Sequence, residues 1–207
     1  MGDRKLSYFT TEEMLALENL ACDDFGVSVD QMMQQAGRSL HDFVVGELPD
    51  VKKVLVLAGK GNNGGDALVA GKMLSESGLI VMDLQVSSVI SDRVDLSWYD
   101  LIIDGLFGFS LKGNPRPPMD KIIEQINCSG VPVLSVDVPS GMEVYTGKIM
   151  KPTVKATFTL ALGMPKKGLD ENPEYSGKVY LGNLGIPPEA YRENGIEPPD
   201  FSQRNYI

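Results

Sequence analysis

The sequence predicts an α/β fold: a doubly wound, mostly parallel sheet with helices on both faces and two helices ahead of the first strand. Three observations carry this expectation. Apolar strand-like runs alternate with helix-period segments through the middle of the chain. The run Val54–Ala58 is apolar without interruption, which suits a parallel strand covered on both faces. It then breaks into Gly59-Lys60-Gly61-Asn62-Asn63-Gly64-Gly65-Asp66 and resumes with helical periodicity, the usual appearance of a strand, a ligand-facing loop and a helix.

Taken in order, Thr10 to Ala21 reads as a first helix. Thr10 and Glu13 form a capping box, Phe9 and Met14 are spaced for a hydrophobic staple, and Met14, Leu17, Leu20 and Ala21 make the apolar stripe. Ser28 and Gln31 repeat the capping pattern for a longer helix that stops before Pro49. Its Met32 and Met33 fall at helical spacing, which favours core filling over a binding surface. His41, the only histidine, falls off the apolar stripe and is expected to be an exposed helical residue, so no histidine-based zinc site or general base is anticipated.

Lys53–Ala58 is the first strand, Leu79–Val86 the second, Asp100–Asp104 the third and Val131–Asp137 the fourth. A helix carrying Met119, Ile122, Ile123 and Ile126 follows the prolines at 115, 117 and 118. Ala156–Leu162 and Lys178–Leu181 are further strands, separated by a loop from Gly163 to Gly177. Beyond Pro187 the chain is Pro-rich and polar, so 189–207 is expected to be a surface tail of a single domain spanning 1–207.

Composition narrows the function classes. The 207 residues carry 19 basic and 28 acidic side chains, a net charge of −9 without any Lys/Arg block, so nucleic acid is not the expected partner. Cys22 and Cys128 have no metal-ligand spacing and read as free thiols. No apolar run has transmembrane length and no secretory pattern is visible, so no membrane partner and a cytoplasmic location are expected.

Chemistry should gather at the carboxyl ends of the strands, near the point where strand order reverses. The first strand enters the Asn62–Asp66 turn, the third ends at Asp104, and the fourth ends at Asp137 with Ser140 just beyond. Gly59, Gly61 and Gly64 satisfy G-x-G-x-x-G. Asp66, however, would set a carboxylate against a pyrophosphate, so the motif supports backbone contact with a nucleotide more than hydride transfer. Oxygen donors from Asn63, Asp104 and Ser140 would suit an alkali or alkaline-earth cation, which would also relieve repulsion between nearby carboxylates.

Gly61-Asn62-Asn63-Gly64-Gly65-Asp66, Asp104-Gly105-Leu106-Phe107-Gly108 and Val136-Asp137-Val138-Pro139-Ser140-Gly141 together resemble the NAD(P)H-hydrate epimerase family, the YjeF N-terminal domain. Met33-Gln34-Gln35-Ala36-Gly37, Gly163-Met164-Pro165-Lys166-Lys167-Gly168 and Asn183-Leu184-Gly185-Ile186-Pro187 extend the resemblance over about residues 10–188. It implies a Rossmann-like fold and interconversion of the R and S epimers of hydrated NADH and NADPH (NADHX and NADPHX), a metabolite-repair step. An ADP- or ATP-dependent NAD(P)HX dehydratase would act in the same pathway, and a homodimer is a further expectation.

The resemblance places substrate against Asn62, Asn63, Gly64, Gly65 and Asp66, against the loop Gly108, Phe109, Ser110, Leu111, Lys112, Gly113 and Asn114, and against Asp137. It places a potassium ion at Asn63, Asp104 and Ser140. For catalysis the candidates are Asp137, serving both proton steps, and position 114, where the family commonly has aspartate and this chain has Asn114, which cannot exchange a proton at neutral pH. Gln34 likewise replaces a glutamate. The span between Gly78 and Tyr99 looks short, as though one strand-helix unit were missing. These departures leave a catalytically impaired ligand-binding or scaffold module as a second reading, with an NAD(P)-dependent oxidoreductase as a third.

Overall fold

The computed structural model describes residues 8–86, 95–108, 111, 113–143 and 147–207. Two capped helices open it, α1 (Thr11–Asp23) and α2 (Val29–Glu47). The Thr10 hydroxyl accepts the Glu13 N–H at 3.2 Å while the Glu13 carboxylate accepts the Thr10 N–H at 2.7 Å. Ser28 and Gln31 make the same reciprocal pair. Each box satisfies two amides that a helix start otherwise leaves unpaired. The buried faces of both helices, including Met14, Leu17, Ala36, Leu40 and Phe43, enter one apolar cluster.

The chain continues through β1 (Lys53–Ala58), α3 (Asn62–Glu76), β2 (Ile80–Gln85), a 3-10 turn at Leu96–Trp98, β3 (Leu101–Gly105), α4 (Met119–Ser129) and β4 (Val133–Val136). After a small antiparallel hairpin, β5 (Met142–Glu143) with β6 (Lys148–Ile149), come β7 (Phe158–Leu162), α5 (Pro173–Ser176), β8 (Lys178–Gly182) and α6 (Pro188–Glu193). The main sheet has six strands in the order β2-β1-β3-β4-β7-β8, with every pairing parallel. Along β1, Val54 and Val56 enter the cluster under α1, α2 and α3, whereas Leu55 and Leu57 enter the one under α4. Period-two alternation within an all-apolar strand is what a sheet with helices on both faces requires.

From β1 the chain steps to β2 on one side and returns to β3 on the other, so strand order reverses between β1 and β3. A crevice opens at their carboxyl ends. The turn that lines it depends on backbone touching backbone: a Cβ on Gly59 would lie 1.9 Å from the Leu106 carbonyl oxygen, and one on Gly64 would lie 2.1 Å from that of Gly59. Gly61, by contrast, faces open space.

The structure revises several expectations. The stretch after Pro187 is not an irregular tail: it forms α6, and its end adds to the sheet edge, with the Leu181 and Ile207 amides and carbonyls exchanging bonds at 2.8 and 2.9 Å and Tyr206 buried against Phe43. These are long-range contacts, invisible to local pattern. His41 is half-buried, with Nδ1 2.7 Å from Asp42 and Nε2 2.7 Å from Ser77, tying α2 to the end of α3. The three residues resemble a hydrolytic triad, but none lines the cavity at the crevice described below, and Ser77 follows a helix carboxyl end, where carbonyls would repel a developing oxyanion.

At the opposite edge β2 ends the sheet, and the 3-10 turn is the one regular element among the described residues between it and β3. Residues 87–94, in the shortened span, lie outside the described residues. Trp98 stands beside this edge near the start of β1, with the Lys53 ammonium 4.5 Å above its ring. Among the described residues no helix is long and apolar enough to cross a membrane.

The glycine contacts set a stability test. Gly64→Ala is expected to cost about 1–3 kcal/mol through overpacking, and Gly61→Ala less than about 1 kcal/mol at an open helix cap, compared by urea denaturation. Equal costs would show that the close approach is not a constraint.

Candidate active site

A cavity of about 730 Å³ occupies the crevice. Its walls include Glu18 from α1, Met32 and Met33 from α2, Lys60 and Gly61 from the β1–α3 turn, Asn62, Asn63 and Asp66 from the start of α3, Leu106 to Gly108 after β3, Asp137 after β4, Leu162 at the end of β7 and Lys166 beyond it. The size falls within the range of about 300–1,000 Å³ common for small-molecule sites. Met32 serves the core as expected, and Met33 faces the ligand space.

Asp137 is held in an unusual backbone state. Its φ of 65° is the one positive value at a non-glycine residue among those described, and the Val138 N–H reaches back to the Val136 carbonyl at 2.7 Å. Such a conformation costs on the order of 1–3 kcal/mol and persists only where the surroundings over-determine it. Here they do: the Leu162 amide donates to Asp137 Oδ1 at 3.0 Å, the Lys166 ammonium forms a short ion pair with the same oxygen, and the Asp137 amide donates to Leu160 at 2.9 Å. Lys166 is 2% exposed, and its segment is stitched to the N-terminal region through Phe9 N to Pro165 O and Lys167 N to Phe9 O, both 2.8 Å.

Asp66 has the opposite environment. It is buried on the same cavity wall, and its carboxyl accepts no hydrogen bond from a described residue. Burial, followed by repulsion from Asp137 and Glu18, pushes its pKa well above the carboxylate range despite the opposing pull of Lys166. Glu18 is raised as well, chiefly by burial. Two carboxyls facing one space thus have different surroundings, Asp137 bonded to an ammonium and an amide and Asp66 buried without a donor, the kind of contrast that separates acid and base roles.

Asn63, Asp104 and Ser140 meet around the Phe107 peptide. Asn63 Nδ2 donates to the Phe107 carbonyl at 3.0 Å, the Phe107 amide donates to Ser140 Oγ at 2.9 Å, and that hydroxyl donates to Asp104 at 2.6 Å. Asp104 is fully buried and also accepts from the Ser135 hydroxyl and from the Ser140 and Leu106 amides. Burial raises its pKa even against these bonds. The group offers amide, hydroxyl, carbonyl and carboxylate oxygens with a single formal charge, and those residues fit a large monovalent cation better than a dication.

The other anticipated residues divide. Asn62, Asn63, Asp66, Gly108, Leu111 and Asp137 line the cavity; Gly64 and Gly65 shape the turn from behind, against Gly59 and Met33. Gly113 and Asn114 are exposed and do not line it, and the Asn114 side-chain oxygen Oδ1 instead accepts the Lys151 backbone N–H at 3.0 Å. Gln34 is also exposed and off the wall. Phe109, Ser110 and Lys112 lie outside the described residues. The charged wall residues not anticipated as site residues are Lys166, Glu18 and Lys60. The first falls in the loop expected from Gly163 to Gly177, and nothing local marks it as buried.

Comparison with known proteins gives a consistent pattern. The profile of the family described as "YjeF-related protein N-terminus" matches residues 29–90 and 82–168. The chain is 34% identical to the NAD(P)H-hydrate epimerase of Plasmodium vivax (strain Salvador I), over 97% of this chain and 77% of that protein. It is 31% identical to the "Bifunctional NAD(P)H-hydrate repair enzyme Nnr" of Dictyoglomus turgidum, over 89% of this chain and 41% of that longer one. The crystal structure of yeast ynu0, YNL200c, superposes with a TM-score of 0.83 at 26% identity, covering 98% of this chain and 99% of that one. The Plasmodium alignment runs over 226 positions, more than the 207 residues available here, so that relative has extra residues within the matched span.

The buried carboxyl supplies a pH test. Because folding raises the Asp66 pKa, its contribution favours the native state below the unfolded value near ~3.9 and is lost as pH rises through the folded value. Asp66→Asn is therefore expected to raise the urea midpoint at pH 8 more than at pH 4. An equal effect at both would show the carboxyl to be relieved in the fold.

Proposed function

The chain belongs to the family of YjeF-related N-terminal domains, and from that membership we propose that it is an NAD(P)H-hydrate epimerase acting on the C6 hydroxyl of hydrated NADH and NADPH. The observation that carries the proposal is the pairing, on one cavity wall, of a buried carboxyl that accepts no hydrogen bond from a described residue with a carboxylate fixed by a buried ammonium.

C6 of the hydrate is a carbinolamine carbon. The lone pair of N1 moves into an N1–C6 bond as the C6–O bond breaks, and the hydroxyl leaves as water with a proton from Asp66. Water then adds to the other face of the ring, the N1–C6 pair returns to nitrogen, and the added water gives its proton back to a carboxylate. No proton is gained or lost overall. The cationic ring that forms lies beside the Asp137 carboxylate, whose attraction to it is strengthened by burial. The proton steps need not fall on Asp137: its pairing with Lys166 suits it to stabilise charge, and Asp66, having given its proton to the leaving hydroxyl, takes one back from the added water.

The exposed Lys60 at the cavity mouth offers a cation to the dinucleotide phosphates. Asn63, Asp104 and Ser140 are proposed to hold potassium, which when bound would order the Phe107 peptide and add positive potential at the wall. Asn114 subtracts nothing from the wall, because that position points to Lys151, so the exchange of aspartate for asparagine is compatible with activity.

The purified protein, incubated with one epimer of hydrated NADPH, is expected to generate the other well above the spontaneous rate by chromatography, and faster with potassium than with sodium. Asp137→Asn should slow it about 10²–10⁴-fold, and Asn114→Asp should change it little. A rate no greater than the spontaneous one would overturn the assignment; binding of hydrated NADPH without turnover would favour a scaffold.

A further inference from the structure

In the scheme above Lys166 serves only to hold Asp137. Its ammonium has three N–H donors, and the described residues take two of them, through Asp137 Oδ1 and the Leu162 carbonyl. The third has no acceptor among the described residues, although the side chain is 2% exposed and lines the cavity beside Asp66. A buried donor left open in this way costs stability until an acceptor arrives. The backbone on either side of Lys166 is bonded to Phe9, and its ammonium is held by Asp137 and the Leu162 carbonyl.

We propose that the third N–H of Lys166 binds the C6 oxygen of the hydrated ring, as hydroxyl in the substrate and as water after the C6–O bond has broken, and that it thereby selects the hydrate over the intact coenzyme. The assignment rests on the epimerase reading. Lys166 gives up no proton: the hydroxyl becomes water with the proton of Asp66, and the bonding pair that departs with oxygen is replaced at C6 by the pair from N1. Lys166 only donates a hydrogen bond to an oxygen whose negative charge grows as the bond stretches.

Selection follows from the same geometry. Intact NADPH lacks an oxygen at C6, so its binding would bury the ammonium with one donor unmet. A site built to hydrogen-bond a substrate oxygen rejects the analogue lacking it far more strongly than an apolar pocket could. Such rejection has a use, because a repair enzyme works among intact coenzyme of nearly the same shape.

The test measures dissociation constants of the purified protein for hydrated and for intact NADPH, together with kcat and KM for the hydrate. The unmodified protein should prefer the hydrate by about tenfold or more, the worth of one hydrogen bond to a charged group. Lys166→Met should abolish that preference by weakening the hydrate alone, and should lower kcat by about 10²–10³-fold. Since that change leaves Asp137 buried and unpaired, folding is checked by circular dichroism; Lys166→Arg keeps the charge, moves the donors, and should show the same loss of preference if the methionine variant does not fold. A preference that survives in the folded variant, or that is absent from the unmodified protein while it still epimerises, overturns the role of Lys166 and leaves the epimerase reading intact. Neither turnover nor hydrate binding in the unmodified protein overturns both.

Discussion

One buried ion pair organises the carboxyl end of the sheet. Taking an ammonium and a carboxylate out of water is costly unless each finds its partner and its remaining hydrogen bonds. Asp137 finds them in Lys166 and the Leu162 amide, and Lys166 finds two of its three acceptors in Asp137 and the Leu162 carbonyl. To meet these demands β4 and β7 must be paired in register, and the segment after β7 must curl back under the N-terminal region. The positive φ at Asp137 is the local strain that the arrangement sustains. Removing either charge would leave the other stranded in a dry crevice.

The β1–α3 turn is fixed by a different means, van der Waals exclusion. Gly59 and Gly64 bring two stretches of backbone within a distance that a methyl group would forbid, and so the helix begins immediately against the strand end. That proximity delivers Asn63 to the Phe107 carbonyl and Asp66 to the cavity wall from one face of the first helix turn. Electrostatics on one side of the crevice and close packing on the other thus set the spacing of groups that are separated by as much as 100 residues in sequence.

Local signals made much of this legible. The capping boxes of α1 and α2 depend on residues three apart, the strands on uninterrupted apolar runs, and the placing of Asp66, Asp104 and Asp137 on the rule that such sheets bind at their carboxyl ends. What local pattern could not supply was whichever feature is made by distant pairing. Lys166 in sequence is indistinguishable from a solvated lysine, because its burial depends on a carboxylate 29 residues away. Tyr206 and the edge bridge at Leu181 required knowing that α2 and β8 lie side by side. Asn114 was placed by analogy in a loop whose end turns outward to Lys151, and His41 found Ser77 across a helix interface.

Trp98, the single tryptophan, has a further consequence for how this molecule can be watched. It stands with Lys53 at the amino end of the parallel strands, 46% exposed, whereas the cavity opens at their carboxyl end, about 20 Å away for strands of this length. An indole half in water and stacked by an ammonium will change its emission when the sheet comes apart, but it is too remote to be quenched directly by direct contact with a nicotinamide ring. Intrinsic fluorescence is therefore an optical reporter of unfolding in the ligand-free protein, and once a dihydronicotinamide is bound, energy transfer to it from the indole becomes a ruler across the sheet.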